Sequence, residues 1–345
     1  MITFDSVTKK YPDGTVAVDN LNLELPTGKI TAFVGPSGCG KTTTLRLINR
    51  MIDITTGTIS IDGVDIMQQD ASDLRRKIGY VIQHAGLFPH RTIIDNIATV
   101  PRLDGATKEA ARKIAAELME RVGLPATFAK RYPMQLSGGQ QQRVGVARAL
   151  AADPPVMLMD EPFSALDPIV REDLQQEFSR LQSELGKTIA FVTHDIDEAI
   201  KMGDLVAIFR EGGNIAQLGT PQELLENPAD EFVANFVGRD RGFRSLSFDS
   251  ARDLPVAHAA SAADLVIEDG VARGWSINGR THKLGGTFTD NDSLRQATDV
   301  AISSPVGIAV KVDQDGRATG VITLAQIAEH LEKQRQAERN SAPTN

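Results

Sequence analysis

The chain of 345 residues is long enough for one large domain and a second, smaller one. Its formal net charge of −8 argues against a general nucleic-acid-binding protein, and its one cysteine excludes an internal disulfide framework. No apolar run approaches the roughly 20 residues that a membrane-spanning helix needs, so work at a membrane would require other chains.

The first 90 residues predict strands and turns around one helix. β-type runs occur at 2–7, 28–35 and 77–83, and the sequence TGTISIDGVDI at 56–66 is typical of a hairpin. Residues 41–52 predict a helix that begins at a glycine-rich loop.

The middle of the chain predicts a helical insertion at about 90–150 and then a βαβ unit. Residues 107–124 form an amphipathic pattern, with Ala111, Ile114, Ala115, Leu118 and Val122 at helical spacing. The runs PVMLMDEP and TIAFVTHD are short and almost wholly apolar, as in parallel strands that are buried on both faces. A helical pattern separates the two runs, so the sequence predicts an α/β fold.

Composition changes near residue 238. Residues 239–290 are charged and turn-rich, and we interpret them as a linker and a degenerate region. Residues 291–333 predict a helix, a hairpin and a last helix, and residues 334–345 predict a disordered tail. The domain organisation is therefore 1–238 followed by a small α+β domain.

The sequence GPSGCGKT at 35–42 fits the phosphate-loop pattern, and it lies between a predicted strand and a predicted helix. Backbone N–H groups of such a loop cradle phosphate oxygens, Lys41 reaches the β- and γ-phosphates, and the Thr42 hydroxyl binds Mg²⁺. The alternative is an ordinary strand–turn–helix junction. The predicted ATP-binding residues are Gly35, Pro36, Ser37, Gly38, Cys39, Gly40, Lys41, Thr42 and Thr43.

Two acids follow the apolar run at 156–159. An acid at the carboxyl end of a parallel strand faces the crevice where α/β sheets bind ligands. Asp160 is placed to hold Mg²⁺, and Glu161 is placed to polarise an attacking water. The alternative role for both is to cap a helix beside Pro162.

The stretch LSGGQQQR at 136–143 has no acid and no nucleophile. Ser137 and Gln140 have the spacing of a capping box, so the stretch predicts the start of a helix. The free N–H groups of a helix start can also bind an anion.

Several further motifs occur in an order that resembles the nucleotide-binding subunit of an ABC transporter, over about residues 1–238. The resemblance implies that Tyr11 stacks on adenine and that Gln83 links Mg²⁺ and the attacking water to the membrane subunits. It implies that residues 164–167 form the D-loop and that His194 contacts the γ-phosphate. The implied catalytic residues are Glu161, His194 and Gln83, and the implied metal ligands are Thr42, Gln83 and Asp160.

The same resemblance implies partners and a place of action. Two subunits would form a head-to-tail homodimer, in which each ATP is also contacted by residues of the other chain, namely Ser137, Gly138, Gly139 and Gln140. Asp167 of the D-loop is also expected to bind ATP. A transmembrane permease would dock near Gln83 at the cytoplasmic face of the membrane. An extracytoplasmic solute-binding protein would deliver the solute, and no nucleic acid is implied.

Longer stretches around these motifs resemble the ATPase subunits of osmoprotectant importers, which carry glycine betaine, choline, carnitine or proline. Residues 293–331 resemble one cystathionine-β-synthase-type (CBS) repeat, although such repeats normally occur in pairs. The implied fold is a P-loop NTPase core of the ABC type, with an antiparallel β subdomain, a helical insertion and a CBS-like domain. Another importer branch, for amino acids or polyamines, and a non-transport ABC ATPase remain as alternatives.

Overall fold

The computed structural model describes residues 1–83, 85–164, 166–238, 241–262 and 264–341. The chain divides into two compact units, Met1–Val237 and Gly238–Asn345. The division falls one residue before the predicted boundary. No helix in the described ranges is both long enough and apolar enough to cross a membrane.

The first unit contains two sheets and a set of helices. Its strands are β1 (Ile2–Lys10), β2 (Val16–Leu25), β3 (Ile30–Val34), β4 (Thr56–Ile61), β5 (Val64–Asp65), β6 (Ile78–Val81), β7 (Val156–Asp160), β8 (Thr188–Val192), β9 (Leu205–Arg210) and β10 (Asn214–Gly219). Its helices are α1 (Lys41–Ile48), α2 (Ala71–Arg76), α3 (Ile93–Ile97), α4 (Thr99–Leu103), α5 (Lys108–Arg121), α6 (Gly138–Leu150), α7 (Pro168–Leu185), α8 (Ile196–Met202), α9 (Pro221–Glu226) and α10 (Glu231–Val237).

The larger sheet has the order β10-β9-β3-β8-β7-β6, and all its strand pairs are parallel except that of β10 with β9. Every residue of β3, β7 and β8 is buried, as the apolar runs predicted. Side chains alternate between two cores on the two faces of the sheet. For example, Ala32 and Val34 of β3 join one core, whereas Phe33 joins the other and packs 5.4 Å from Phe209.

The smaller sheet of this unit is antiparallel, with the order β2-β1-β4-β5. Its inward residues, including Phe4, Leu23 and Ile59, share a core with α1. Helices α3 to α6 form the insertion between β6 and β7 that the sequence predicted.

The second unit has regular structure from residue 241, where its first helix begins. Its elements are α11 (Arg241–Ser245), β11 (Ala257–His258), β12 (Leu265–Glu268), β13 (Val271–Ile277), β14 (Arg280–His282), β15 (Thr287–Phe288), α12 (Leu294–Ser303), β16 (Ile308–Val312), β17 (Ala318–Thr323) and α13 (Leu324–Ser341). The strands form two sheets, with the orders β11-β17-β16-β15 and β12-β13-β14.

The linker prediction for residues 239–290 is wrong, because this region supplies part of the hydrophobic core. Trp275 of β13 is 1% exposed and packs in one cluster with Val310 and Val321. In addition, β15 pairs in parallel with β16, so the predicted start of the domain at residue 291 is too late.

The disordered tail predicted from residue 334 also begins too early, since α13 extends to Ser341. An ion pair of 2.7 Å between Glu329 and Lys333, four residues apart, supports this helix. Residues 342–345 lie outside the described residues.

Candidate active site

The loop at 35–42 connects β3 to α1, as the sequence predicted. Its backbone requires glycine at Gly40, where φ is 99°. A Cβ atom there would lie 2.2 Å from the carbonyl oxygen of Ala17, on β2. The loop is therefore seated against the antiparallel sheet, and only glycine allows this close approach.

A cavity of about 490 Å³ lies over the loop. The residues that line it come from the loop, from the start of α1, from β2 and from the ends of β7 and β8: Ala17, Ser37, Gly38, Cys39, Gly40, Lys41, Thr42, Thr43, Glu161 and His194. The structure thus brings the predicted phosphate loop and two of the predicted catalytic residues to one cavity.

The ammonium group of Lys41 lies under this cavity and is held by the loop itself. Nζ donates to the carbonyl oxygens of Gly35 at 2.7 Å and Pro36 at 2.8 Å, and only 7% of the residue is exposed. The Cys39 sulfur lies 3.5 Å from Nζ. Carbonyl oxygens do not neutralise the cation, so the positive charge remains available to a phosphate.

Thr42 and Asp160 are joined at the base of the cavity. The Thr42 hydroxyl donates to Asp160 Oδ1 at 2.9 Å, and Arg46 Nη2 lies 3.7 Å from Oδ2. Burial raises the pKa of the Asp160 carboxyl, whereas the Thr42 hydrogen bond and the Arg46 charge lower it. A hydroxyl beside a carboxylate is the kind of oxygen donor set that Mg²⁺ takes together with substrate phosphates. The predicted ligands Thr42 and Asp160 therefore fit this metal.

Glu161 is the centre of a second group of polar side chains. Gln83 Nε2 donates to Glu161 Oε2 at 3.2 Å and to Ser164 Oγ at 3.0 Å. His194 Nδ1 lies 3.4 Å from the same Glu161 oxygen. Glu161 has a left-handed backbone, with φ at 48°, and its N–H donates to Val192 O at 2.9 Å. Such strained backbone is concentrated at functional sites.

The stretch at 136–143 starts a helix through the predicted capping box. Ser137 Oγ accepts from the Gln140 N–H at 3.3 Å, and Gln140 Oε1 accepts from the Ser137 N–H at 3.0 Å. Gly138 is exposed, whereas Gly139 is buried against Val170 of α7. The side chain of Asp167 caps α7 by accepting from the Val170 N–H at 3.1 Å. Ala165 of the predicted D-loop lies outside the described residues.

Comparison with known proteins assigns the family. Residues 18–164 match the family model described as ABC transporter. The osmoprotectant import ATP-binding protein OsmV of Salmonella typhimurium is 43% identical, over 96% of this chain and 96% of that protein. The chain belongs to the ABC transporter family.

Two Bacillus subtilis relatives are more similar over a shorter region. The choline transport ATP-binding protein OpuBA is 54% identical over 73% of this chain. The glycine betaine/carnitine/choline transport ATP-binding protein OpuCA is 54% identical over 71% of it. The chain spans 66% and 64% of their lengths, which is slightly under two thirds.

Among solved structures, the ATP-binding cassette MJ0796, in a dimeric post-hydrolysis state bound to ADP and Pi, matches with a TM-score of 0.59. It is 36% identical in sequence, and the match covers 64% of this chain and 99% of the MJ0796 chain. This agreement supports the ABC-type P-loop fold of the first unit.

Tyr11, Asp167 and residues 137–140, which the ABC resemblance assigned to ATP, do not line the cavity of this chain. Tyr11 lies in the turn between β1 and β2, where its N–H donates to Thr15 O at 2.8 Å, and Lys9 Nζ lies 5.2 Å from its ring centre. The capping-box residues at 137–140 begin α6, on the helical insertion. Their assignments stay predictions.

The structure adds two residues that sequence reasoning missed. Arg46 lies beside Asp160, and its spacing of four residues from Thr42 on a helix could have indicated that both share a face. Ala17 supports the loop from β2, and no local sequence signal points to it.

Proposed function

We propose that the chain binds ATP together with Mg²⁺ and hydrolyses it to ADP and phosphate. The observation that supports this most strongly is the convergence of Lys41, the Thr42–Asp160 pair, Glu161 and His194 around one cavity. Phosphoryl transfer needs little covalent chemistry from the protein, and it depends on positioning and on charge stabilisation.

Each group has a task that follows from its place. The N–H groups of the loop and the ammonium of Lys41 hold the phosphates. Thr42 and Asp160 would hold Mg²⁺, and the ion would supply positive charge to the phosphate oxygens. Glu161 accepts a proton from water as the water oxygen bonds to the γ-phosphorus and the bond to ADP breaks. Gln83 and His194 orient the Glu161 carboxylate, and His194 contacts the γ-phosphate.

The test of this assignment is Glu161→Gln. The variant should bind ATP with unchanged affinity, because the amide has the same shape, but its steady-state hydrolysis should fall below about a tenth of wild type. Hydrolysis above that level would remove Glu161 from the role of base.

We further propose that two chains form a composite site, in which residues 137–140 and Asp167 of one chain approach the ATP held by the other. The exposed helix start and the absence of acids from 136–143 support this arrangement. Mixing a Lys41→Ala chain with a Ser137→Arg chain should restore ATPase activity, because each heterodimer then contains one intact site. Demonstrated heterodimers without restored activity would count against independent sites.

We propose import of an osmoprotectant, such as glycine betaine, choline or carnitine, through a separate permease at the cytoplasmic face of the membrane. The support is similarity to relatives that bear such names, above all the one that aligns over 96% of the chain. Receptor-dependent ATPase in proteoliposomes with the neighbouring permease and a panel of solutes tests this. Stimulation by amino acids or polyamines alone would favour another importer branch.

We also propose that residues 287–341 form one CBS-type repeat. Their element order is β15, α12, β16, β17 and α13, with β15 parallel to β16 and β16 antiparallel to β17. Within the described residues of this unit, the elements that precede the repeat include the three-stranded sheet β12-β13-β14, which packs against β16 and β17 through Trp275. If deletion of residues 241–345 leaves the ionic-strength response of transport unchanged, a sensor role for this unit is excluded.

A further inference from the structure

A buried carboxylate behind the candidate active site has no part in the hydrolysis described above. Glu198 lies in the first turn of α8, and only 5% of it is exposed. Removing a carboxylate from water is costly unless hydrogen bonds and opposite charge compensate it. The hydrogen bonds and ion pairs of Glu198 therefore indicate the role of this buried carboxylate.

One oxygen of Glu198 holds the end of β8. Thr193 Oγ1 donates to Glu198 Oε2 at 2.6 Å, and the same hydroxyl accepts from the Asp195 N–H at 3.0 Å. Thr193 is 1% exposed and immediately precedes His194. These two bonds fix the backbone on both sides of His194.

The other oxygen faces α7. Gln175 Nε2 donates to Glu198 Oε1 at 3.2 Å, and Arg171 Nε lies 3.8 Å from that oxygen. Arg171 Nη2 donates to the carbonyl oxygen of Leu166 at 3.2 Å, one residue before Asp167. The same set of contacts therefore reaches the loop between β7 and α7.

The neighbours of Glu198 compensate only part of the cost of its burial, and the net shift of its pKa is upward. Burial raises the pKa of the Glu198 carboxyl, and the nearby charge of Asp195 acts in the same direction. The Thr193 hydrogen bond, Arg171 and His194 lower the pKa of this carboxyl. Arg171 is shared, since its Nη1 also lies 3.7 Å from Asp195 Oδ2.

We infer that Glu198 is a positioning residue, which holds His194 against Glu161 and links this contact to the segment at 166–167. The His194 side chain is 62% exposed, so little packing holds the ring, and a shift of its backbone would change the 3.4 Å approach of Nδ1 to Glu161. The inference rests on the proposed function, because Glu198 acts through His194. A displacement of about 1 Å at such a contact is enough to lower a rate about a hundredfold.

The experiment compares the ATPase activity of the full chain with that of Glu198→Ala and Glu198→Gln. Glu198→Ala should lower kcat at least about tenfold while the Kd for ATP changes less than about threefold. Glu198→Gln keeps the shape and a partner for Thr193, so its kcat should be intermediate. The matched control is Glu172→Ala, because Glu172 pairs with Lys201 at 3.0 Å across the same two helices but on the surface. Its kcat should equal that of wild type.

Two further measurements separate positioning from a loss of fold. Thr193→Val has nearly the same shape and removes both hydrogen bonds of the Thr193 hydroxyl, so it should reproduce the lower kcat at a temperature where melting curves show that the variant is still folded. In a His194→Ala background, measured by single-turnover hydrolysis, Glu198→Ala should lower the rate less than about twofold further. An equal loss in both backgrounds, or full kcat in Glu198→Ala, overturns the inference. A wild-type chain without Glu161-dependent hydrolysis overturns the proposed function as well, so the two failures are distinguishable.

Discussion

Two neighbouring glycines in the first turn of α6 give opposite predictions for the same substitution. A Cβ atom added to Gly138 would meet no atom within 4 Å, whereas one added to Gly139 would lie 2.5 Å from Cγ1 of Val170. Val170 is β-branched and lies in the helix α7, so its side chain has little rotamer freedom to move away. Each substitution to alanine therefore tests the packing of α6 on α7 at one position.

Two opposing free-energy terms determine whether each substitution stabilises or destabilises the fold. Alanine in place of a helical glycine gains about 0.4 to 1 kcal/mol, mostly by reducing the freedom of the unfolded chain. Overpacking of a well-filled site costs about 1 to 3 kcal/mol. Gly138→Ala should therefore stabilise the fold by up to about 1 kcal/mol, and Gly139→Ala should destabilise it by up to about 2.6 kcal/mol. For a unit of this size, 1 kcal/mol corresponds to about 2 to 4 °C in Tm.

The assay is calorimetric unfolding of the two single variants and of the double variant Gly139→Ala/Val170→Ala. The double variant should recover most of the stability lost in Gly139→Ala, because the shortened side chain leaves room for the new methyl group. The packing argument is refuted if both single variants shift Tm in the same direction. It is also refuted if adding Val170→Ala does not restore the stability lost in Gly139→Ala.

Gly138→Ala also tests whether this position serves function more than stability. In the proposed dimer the exposed side of this helix start faces the ATP of the partner subunit. Gly138→Ala should then raise Tm and lower ATPase activity together. A variant with higher Tm and full ATPase activity would contradict the placement of Gly138 at that site.

Three further predictions concern Asp160, Gly40 and Trp275. Asp160→Asn should raise Tm at pH 7.5, because burial raises the pKa of the Asp160 carboxyl and disfavours its charged form. The gain in Tm should shrink as pH falls through that raised pKa, since the wild-type carboxyl then becomes neutral. A gain in Tm that does not change with pH would refute this. Gly40→Ala should abolish binding of a fluorescent ATP analogue, since the new Cβ atom would collide with Ala17 O. Gly38→Ala should weaken binding less, because Gly38 also has a positive φ but a Cβ atom there would meet no atom within 4 Å. Trp275, the one tryptophan, should emit at short wavelength and shift to the red in denaturant; a native spectrum typical of exposed indole would contradict its burial.

Local signals in the sequence were sufficient for the parts of the site that local backbone determines. The phosphate loop and the capping box of Ser137 and Gln140 depend on residues close together in the chain, and both have the predicted structure. The contact of Gln83 with Glu161 joins residues 78 positions apart, and only the resemblance to a family predicted both for one site. The pattern of α5 misplaced one core residue, because Ile114 is 36% exposed and Met119 is buried in its place.

The linker interpretation of 239–290 overlooked a local signal. Asp269-Gly270 connects β12 to β13, and Asn278-Gly279 connects β13 to β14. All four residues have positive φ, between 52° and 83°, as in the tight turns of two-residue hairpins. These dipeptides could have predicted the three-stranded sheet. The burial of Trp275 against β16 and β17 could not have been predicted, since it depends on strands that follow later in the chain.

The register of the central strands, more than the loops, determines where the catalytic groups lie. Asp160 and Val192 are paired at the ends of β7 and β8, and the residues that follow them reach the cavity. A slip of one residue would displace Asp160 by about 3.3 Å and turn its side chain to the other face of the sheet.

Because β7 and β8 are buried on both faces, alternation of polar and apolar residues cannot fix their register. Backbone bonds at the strand ends supply the constraint. Glu161 N–H donates to Val192 O at 2.9 Å, and Thr193 N–H donates to Phe33 O at 3.1 Å. The first bond extends the pairing of β7 with β8 by one residue, and the left-handed backbone of Glu161 follows at the point where the chain leaves β7. The position of Glu161 in the cavity is therefore set by strand pairing across three strands, which explains why a flexible loop is not needed to place it.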